Sequence, residues 1–190
     1  MSKLKYILST LVLASVIFGT SVVQTQAQTI DDSYNAPGVT TTLIVDEETQ
    51  DNNAVKYDDV LDARLKSTSL PTSYFNLSTG SYNAYIQYVT RSWLYTSKYF
   101  HCNGNGQLYI RWNLHSNTGY STPAKIGVYD MTIGQMVSIT QTPDLSSQGR
   151  SGTVIVSGLT SGHNYAVAFT AVQSGIGTDS IGGTASISHY

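Results

Sequence analysis

The segment Gln107–His115 alternates without a break, with Leu108, Ile110, Trp112 and Leu114 on one side and Tyr109, Arg111, Asn113 and His115 on the other. A side-chain period of two belongs to a strand with one face buried and one wet, and no helix brings these four apolar residues onto one stripe. The same pattern recurs at short intervals. Tyr82–Val89 and Ser92–Cys102 precede it, and Lys125–Asp130, Met136–Thr140, Gly152–Val156, Asn164–Val172 and Thr184–His189 follow, with Gly, Asn, Ser or Pro clusters in nearly every gap. Short strands at such spacing specify an antiparallel sandwich or barrel. About eight of them predict an all-β body over residues 71–190, a jelly-roll-like or fibronectin-like β-sandwich. Asn103-Gly104-Asn105-Gly106 sits between two of the runs and reads as a hairpin turn.

Upstream of Pro71 the character changes. Lys3 and Lys5 precede an apolar run from Tyr6 to Val23, with a short polar exit at Gln24–Gln28, the layout of a secretory signal peptide over residues 1–27. The alternative is an uncleaved anchor, but Ser9, Thr10, Ser15, Gly19 and Thr20 make the run poor beside the roughly 20 strongly apolar residues of a stable span. Nine of the twelve acidic residues fall between Asp31 and Asp62, whereas from residue 67 onward Asp130, Asp144 and Asp179 face five bases. The expectation is a disordered acidic leader over 28–70, too polar to offset its own ordering entropy. Within it, Tyr57, Val60, Leu61 and Leu65 fall at helical spacing and predict one short helix near 54–66. Leu43-Ile44-Val45, after three threonines, is expected to pair as an edge strand where a partner offers itself.

Composition narrows the function classes. Cys102 is the single cysteine, so no intramolecular disulfide forms, a pattern normal for a bacterial export. A formal net charge of −2 provides no field for nucleic acid or anionic lipid. The expectation is a secreted, extracellular protein with no nucleic-acid partner, and no membrane partner once the signal is cleaved.

Three segments carry a resemblance: Asn105-Gly-Gln-Leu-Tyr-Ile110, Lys125-Ile-Gly-Val-Tyr-Asp130 and Val156-Ser-Gly-Leu-Thr-Ser-Gly-His-Asn-Tyr-Ala-Val167. Together they resemble the bacterial pre-peptidase C-terminal domain over roughly residues 98–190, and Gly158–Tyr165 also resembles a turn of fibronectin type III domains. The resemblance implies a sandwich that serves as a binding or accessory module beside secreted hydrolases, some relatives binding calcium or matrix polymers. No metal ligand maps onto this chain position by position.

Catalytic patterns are thin. His101, His115, His163 and His189 form no metal-ligand pair spacing, and Cys102 as the single cysteine gives no Cys pair for a structural zinc site. Cys102, beside Leu94 and Phe100, reads as a small buried apolar group. Thr178-Asp-Ser180-Ile-Gly182 lacks the first glycine of a nucleophile elbow. Asp130, Asp144 and Asp179 are the only body carboxylates for glycosidase chemistry. Asp46, Glu47, Glu48, Asp51, Asp58, Asp59 and Asp62 offer oxygens to calcium but form no Asp-x-Asp-x-Asp-Gly loop, and a solvated leader or removable pro-segment is the plainer reading. No enzyme activity and no cofactor are expected.

Tyrosine is the better lead, with 14 copies against four Phe and two Trp. Rings with an apolar body and a polar tip suit stacking on sugars or packing on protein ridges. Tyr109, Arg111, Asn113 and His115 share one strand face, and Trp93, Tyr95, Tyr99 and His101 share one on the strand before it. If both turn outward on neighbouring strands, Trp93, Tyr95, Tyr99, Tyr109, Arg111, Asn113 and His115 form one binding surface. The plainer alternative is tyrosine as a good strand former on a solvated sheet. The expectation is a module that holds an extracellular carbohydrate or matrix protein. The alternatives are a structural or assembly protein that oligomerises by strand addition through the leader, and a hydrolase accessory or unrecognised hydrolase.

Overall fold

A computed structural model describes residues 33–46, 63–65, 68–172 and 179–189 of the 190. Every regular element among them is a strand. In chain order these are β1 (Tyr34–Asn35), β2 (Thr40–Val45), β3 (Ala63–Leu65), β4 (Ser73–Tyr74), β5 (Tyr82–Val89), β6 (Leu94–Tyr95) and β7 (Lys98–Tyr99). Then come β8 (Leu108–Ser116), β9 (Ala124–Asp130), β10 (Gln135–Gln141), β11 (Arg150–Ser157), β12 (Tyr165–Ala171) and β13 (Ile181–Ser188).

Two sheets face each other. The first, sheet A, runs β1-β10-β9-β12-β6, and the second, sheet B, runs β2-β11-β8-β13-β5-β3. Without the short edge pieces these are two four-stranded antiparallel layers, β10-β9-β12-β6 and β11-β8-β13-β5. Apart from the β9–β10 hairpin, each connection along this series crosses from one layer to the other. That strand order is a jelly roll, so the expected eight-stranded sandwich is the observed fold.

Burial follows the alternation. In β8 the apolar set Leu108, Ile110, Trp112 and Leu114 is buried and the polar set lies outside. The facing layer answers with Ile126, Val128, Tyr165, Val167 and Phe169. Phe75, Tyr82 and Phe100 close one flank edge-to-face, with ring centroids 5.2 to 6.4 Å apart. Each such buried apolar side chain contributes about 1.5–3 kcal/mol.

The leader differs from its expectation where the structure describes it. Residues 33–46 do not stand apart from the body. β1 pairs with β10 in sheet A and β2 pairs with β11 in sheet B, so one stretch of chain steps from layer to layer along the same side of the sandwich. Thr41 Oγ1, donating to Asn35 Oδ1 at 2.6 Å and 2.7 Å from Ser138 Oγ, ties the step to β10. Leu43–Val45 thus finds its strand partner in its own chain. The expected helix over 54–66 lies mostly outside the described residues, and its described end, Ala63–Leu65, is a strand parallel to β5. An exposed sheet edge satisfies the backbone of such a segment better than an isolated helical turn does. The signal segment 1–27 also lies outside the described residues. Among the described residues no helix is long and apolar enough to cross a membrane.

The Asn103–Gly106 turn is real but joins different layers. Asn103 Oδ1 accepts hydrogen bonds from the Asn105 and Gln107 amides at 3.0 and 2.9 Å. The chain before it does not pair with β8. β6 pairs with β12, β7 pairs with β4, and Phe100 bridges to Tyr165. Gly106, at φ +68°, docks the turn on another loop: its carbonyl accepts the Leu159 amide at 2.9 Å, and a Cβ there would sit 2.6 Å from the Leu159 carbonyl oxygen.

Candidate functional site

The seven residues expected to form one surface lie on three parts of the molecule. Trp93 and Tyr95 belong to the outer face of sheet A. Tyr99 joins Tyr74 and His101 in a cluster at the β4–β7 pair. Tyr109, Arg111, Asn113 and His115 line the outer face of sheet B. The single surface fails because β6 and β8 lie in opposite layers, so their outward faces point away from each other.

On sheet A the aromatic residues are a roof. The middle of its outer face is very small: Gly127 on β9, and Ala166 and Ala168 on β12, both alanines 0% exposed, with Lys125, Tyr129 and Thr170 at the remaining outward positions. Trp93 and Met136 lie over Gly127, whose missing Cβ would be 3.2 Å from the Met136 sulfur and 3.2 to 3.3 Å from the indole. Tyr95 stands opposite Ala168 in register and meets Tyr129 edge-to-face at 5.7 Å. Burial, and then the neighbouring Tyr129, push the Tyr95 hydroxyl above the ordinary tyrosine range. These rings bury a glycine–alanine floor and are explained by packing.

Sheet B turns a different face outward. Tyr109, Arg111, Asn113 and His115 stand in line along β8, spanning about 20 Å at strand rise. Cross-strand register places Thr153 and Ser186 on either side of Arg111, and Ser151 and Thr184 on either side of Asn113. Arg111 and Asn113 are exposed, and Tyr109 and His115 half-buried. Tyr109 OH reaches Gln107 Oε1 at 3.4 Å, and Gln107 Nε2 donates to Ser157 Oγ at 3.2 Å.

At the end of this row the β5–β13 pairing is irregular: Ile181 faces Val89 but Gly183 faces Ile86, so Gln87 and Tyr88 together oppose Gly182. This bulge holds Tyr88 at φ 51°, the one non-glycine residue with positive φ among those described, and leaves it 67% exposed. Gly183, at φ +135°, passes so close to β8 that a Cβ would overlap the Asn113 carbonyl oxygen. On the other side of Gly182 stand His115 and Asn117. Sequence reasoning missed Tyr88, Asn117 and Gly182. The Gly182-Gly183 pair inside a strand run was the available signal for a bulge.

The segments that carry the family resemblance meet at one pole of the sandwich. The His163 Nδ1–H donates to Asp130 Oδ2 at 2.7 Å, while Asp130 Oδ1 accepts the Thr132 and Ile133 amides at 2.9 and 3.4 Å. Tyr165 OH donates to the Thr160 carbonyl at 3.0 Å, and burial, with repulsion from Asp130 next, pushes its pKa up to about 12. His101 Nε2 donates to Asn164 Oδ1 at 2.9 Å, and His189 Nε2 to the His101 carbonyl at 2.7 Å. Cys102 is buried, its thiol pushed up chiefly by burial and aimed at the Leu159 and Thr160 carbonyls. A protonated, buried thiol is a poor nucleophile, and the Asp130 carboxylate is committed to its own turn. The pole works as a latch between the β9–β10 turn and the 158–164 loop. Among the described residues no group of three or more His, Cys, Asp or Glu side chains is placed to hold a metal ion. A scan against protein-family models and a search of curated proteins both returned no match.

Proposed function

We propose that the protein is a secreted bacterial binding module that holds an extracellular carbohydrate polymer on the outer face of sheet B, without covalent chemistry. The observation that carries this reading is the line Tyr109–Arg111–Asn113–His115, whose two middle residues are flanked on both sides by serine and threonine hydroxyls. It is a row of donors and acceptors on one sheet face with a tyrosine and an imidazole at its ends. Sugars offer the complement, with hydroxyl pairs on ring edges and C–H faces that pack on aromatic rings. Trp93 and Tyr95 have packing work on sheet A and are removed from the site, and Tyr99 lies apart from the line. The likeness to the pre-peptidase C-terminal domain supports an accessory binding role, and the signal-like first 27 residues support export.

The test is retention of the purified protein on cellulose, chitin and peptidoglycan, with collagen as the matrix-protein arm. Retention on at least one polysaccharide, reduced about tenfold by Arg111→Ala with Asn113→Ala, is the expected result. Retention on collagen alone would replace carbohydrate with matrix protein, and retention indifferent to the double substitution would remove this face.

A further inference from the structure

The corner formed by His115, Asn117, Gly182 and Tyr88 has properties the rest of the face lacks. Gly182 pairs with His115 across the β8–β13 ladder, and its backbone does not adopt the left-handed conformation that favours glycine. The space left by its missing side chain is occupied by its neighbours. A Cβ built there would lie 3.0 Å from His115 Nε2, 3.0 Å from Asn117 Oδ1 and 3.2 Å from Asn117 Nδ2. An imidazole nitrogen and a complete carboxamide thus converge on the spot above one glycine. Among the described residues neither side chain has a hydrogen-bond partner.

Tyr88 supplies a second, independent observation. A left-handed conformation costs a bulky L-residue about 1–2 kcal/mol, and asparagine or glycine would occupy it with less strain. Here a tyrosine occupies it, on the bulge opposite Gly182, with most of its surface in solvent. Bulges re-aim side chains, and strained conformations persist where the surroundings over-determine them, often at ligand clamps. The ring gains little packing from its own chain in return for the strain.

Resting on the polymer-binding reading above, we propose that this corner is a saccharide subsite. Asn117 and His115 hydrogen-bond two adjacent hydroxyls of one sugar unit above Gly182, and Tyr88 stands as the aromatic wall beside it. The chemistry selects the ligand class. A carboxamide offers one donor and one acceptor side, a neutral imidazole Nε2 offers one or the other, and each hydroxyl of a vicinal diol can answer both. The line from Tyr109 to Asn113 then receives the units that follow.

The experiment is a calorimetric and NMR titration of the protein with cellohexaose, chitohexaose and mannohexaose. The variants are Gly182→Ala, Asn117→Ala, Tyr88→Ala and the Arg111→Ala/Asn113→Ala pair. Binding of at least one hexasaccharide, with shifts at His115 and Asn117 and affinity lowered tenfold or more by Gly182→Ala, is the expected result. Asn117 is exposed, so Asn117→Ala leaves the fold intact and should lower affinity to the same extent, which keeps the test decisive should Gly182→Ala perturb the sheet. If Gly182→Ala and Asn117→Ala each bind within twofold of the parent while the Arg111/Asn113 pair abolishes polymer retention, the subsite is refuted and the face stands. If the parent protein binds neither hexasaccharides nor polymer, both fall.

Discussion

The two outer faces of this sandwich use aromatic residues in opposite ways. On sheet A, Trp93, Tyr95, Tyr129 and Met136 are spread over a floor of Gly127, Ala166 and Ala168 and keep it dry, forming a thin second core outside the first. On sheet B the outward positions mix Ser, Thr, Asn, Arg, His and Tyr with Ile44 and Ile155, the floor is the sheet itself, and its tightly constrained atoms belong to the backbone. An aromatic residue on a strand is therefore no guide to binding until the residues beneath it are known. Where the cross-strand neighbours are glycine and alanine, the ring is filling space. Where no such gap lies beneath it, as at Tyr109 between Ile155 and Ser188, the ring has no void to fill.

The largest effect should come from the backbone of sheet B. Gly183→Ala asks a side chain to share space with the Asn113 carbonyl at a φ of +135°. It should cost more than about 3 kcal/mol and leave little folded protein by circular dichroism. Next comes the roof of sheet A. Trp93→Ala removes a half-buried ring from over Gly127 and should cost about 2 kcal/mol, lowering Tm by about 6 °C while polymer retention is unchanged. A loss of retention without a loss of Tm would reverse the roles of the two faces.

Alkaline titration tests the core between the faces. The Tyr165 hydroxyl is raised to about 12 in the folded state, against 10.0 for the free side chain. Between pH 10 and 12 the unfolded chain therefore releases this proton while the folded chain keeps it, so stability falls as pH rises through that window. Tyr165→Phe should make the fall of Tm across pH 10–12 shallower, and an identical slope would place the titrating group elsewhere.

Smaller effects separate strain from binding. Tyr88→Gly relieves the left-handed tyrosine and should stabilise by about 0.5–1 kcal/mol, read as a rise in denaturant midpoint, while oligosaccharide affinity drops. Smallest of all in stability, Arg111→Ala with Asn113→Ala should lie within about 0.5 kcal/mol of the parent despite its expected tenfold loss of retention.

The strands were legible because their burial is set by local alternation: β8 needs no knowledge of its neighbours to show which side is wet. The layer assignment was not legible. Whether Ser92–Cys102 returns beside Gln107–His115 or crosses to the other sheet depends on Thr96, whose amide donates to the Val167 carbonyl, and on Phe100, which bridges to Tyr165. Those partners lie more than 60 positions away in the chain. The same limit divided the expected site. Tyr109, Arg111, Asn113 and His115 were found together because they share one strand, and Trp93, Tyr95 and Tyr99 were added to them by a pairing that does not exist. The leader was misjudged for a related reason: Tyr34–Asn35 and Thr40–Val45 have too little apolar surface to fold alone, yet β10 and β11 offer each an open edge. The bulge at Tyr88 left no mark in composition beyond the Gly182-Gly183 pair.

Hydroxyl-radical footprinting of the protein with and without a polysaccharide that retains it compares the two faces in one experiment, because aromatic and imidazole side chains report on both. Protection should fall on Tyr109, His115 and Tyr88, with Trp93, Tyr95 and Tyr129 labelled as in the free protein. Protection of Trp93 and Tyr129 with unchanged labelling of Tyr109 and His115 would contradict the account and move the binding face to sheet A.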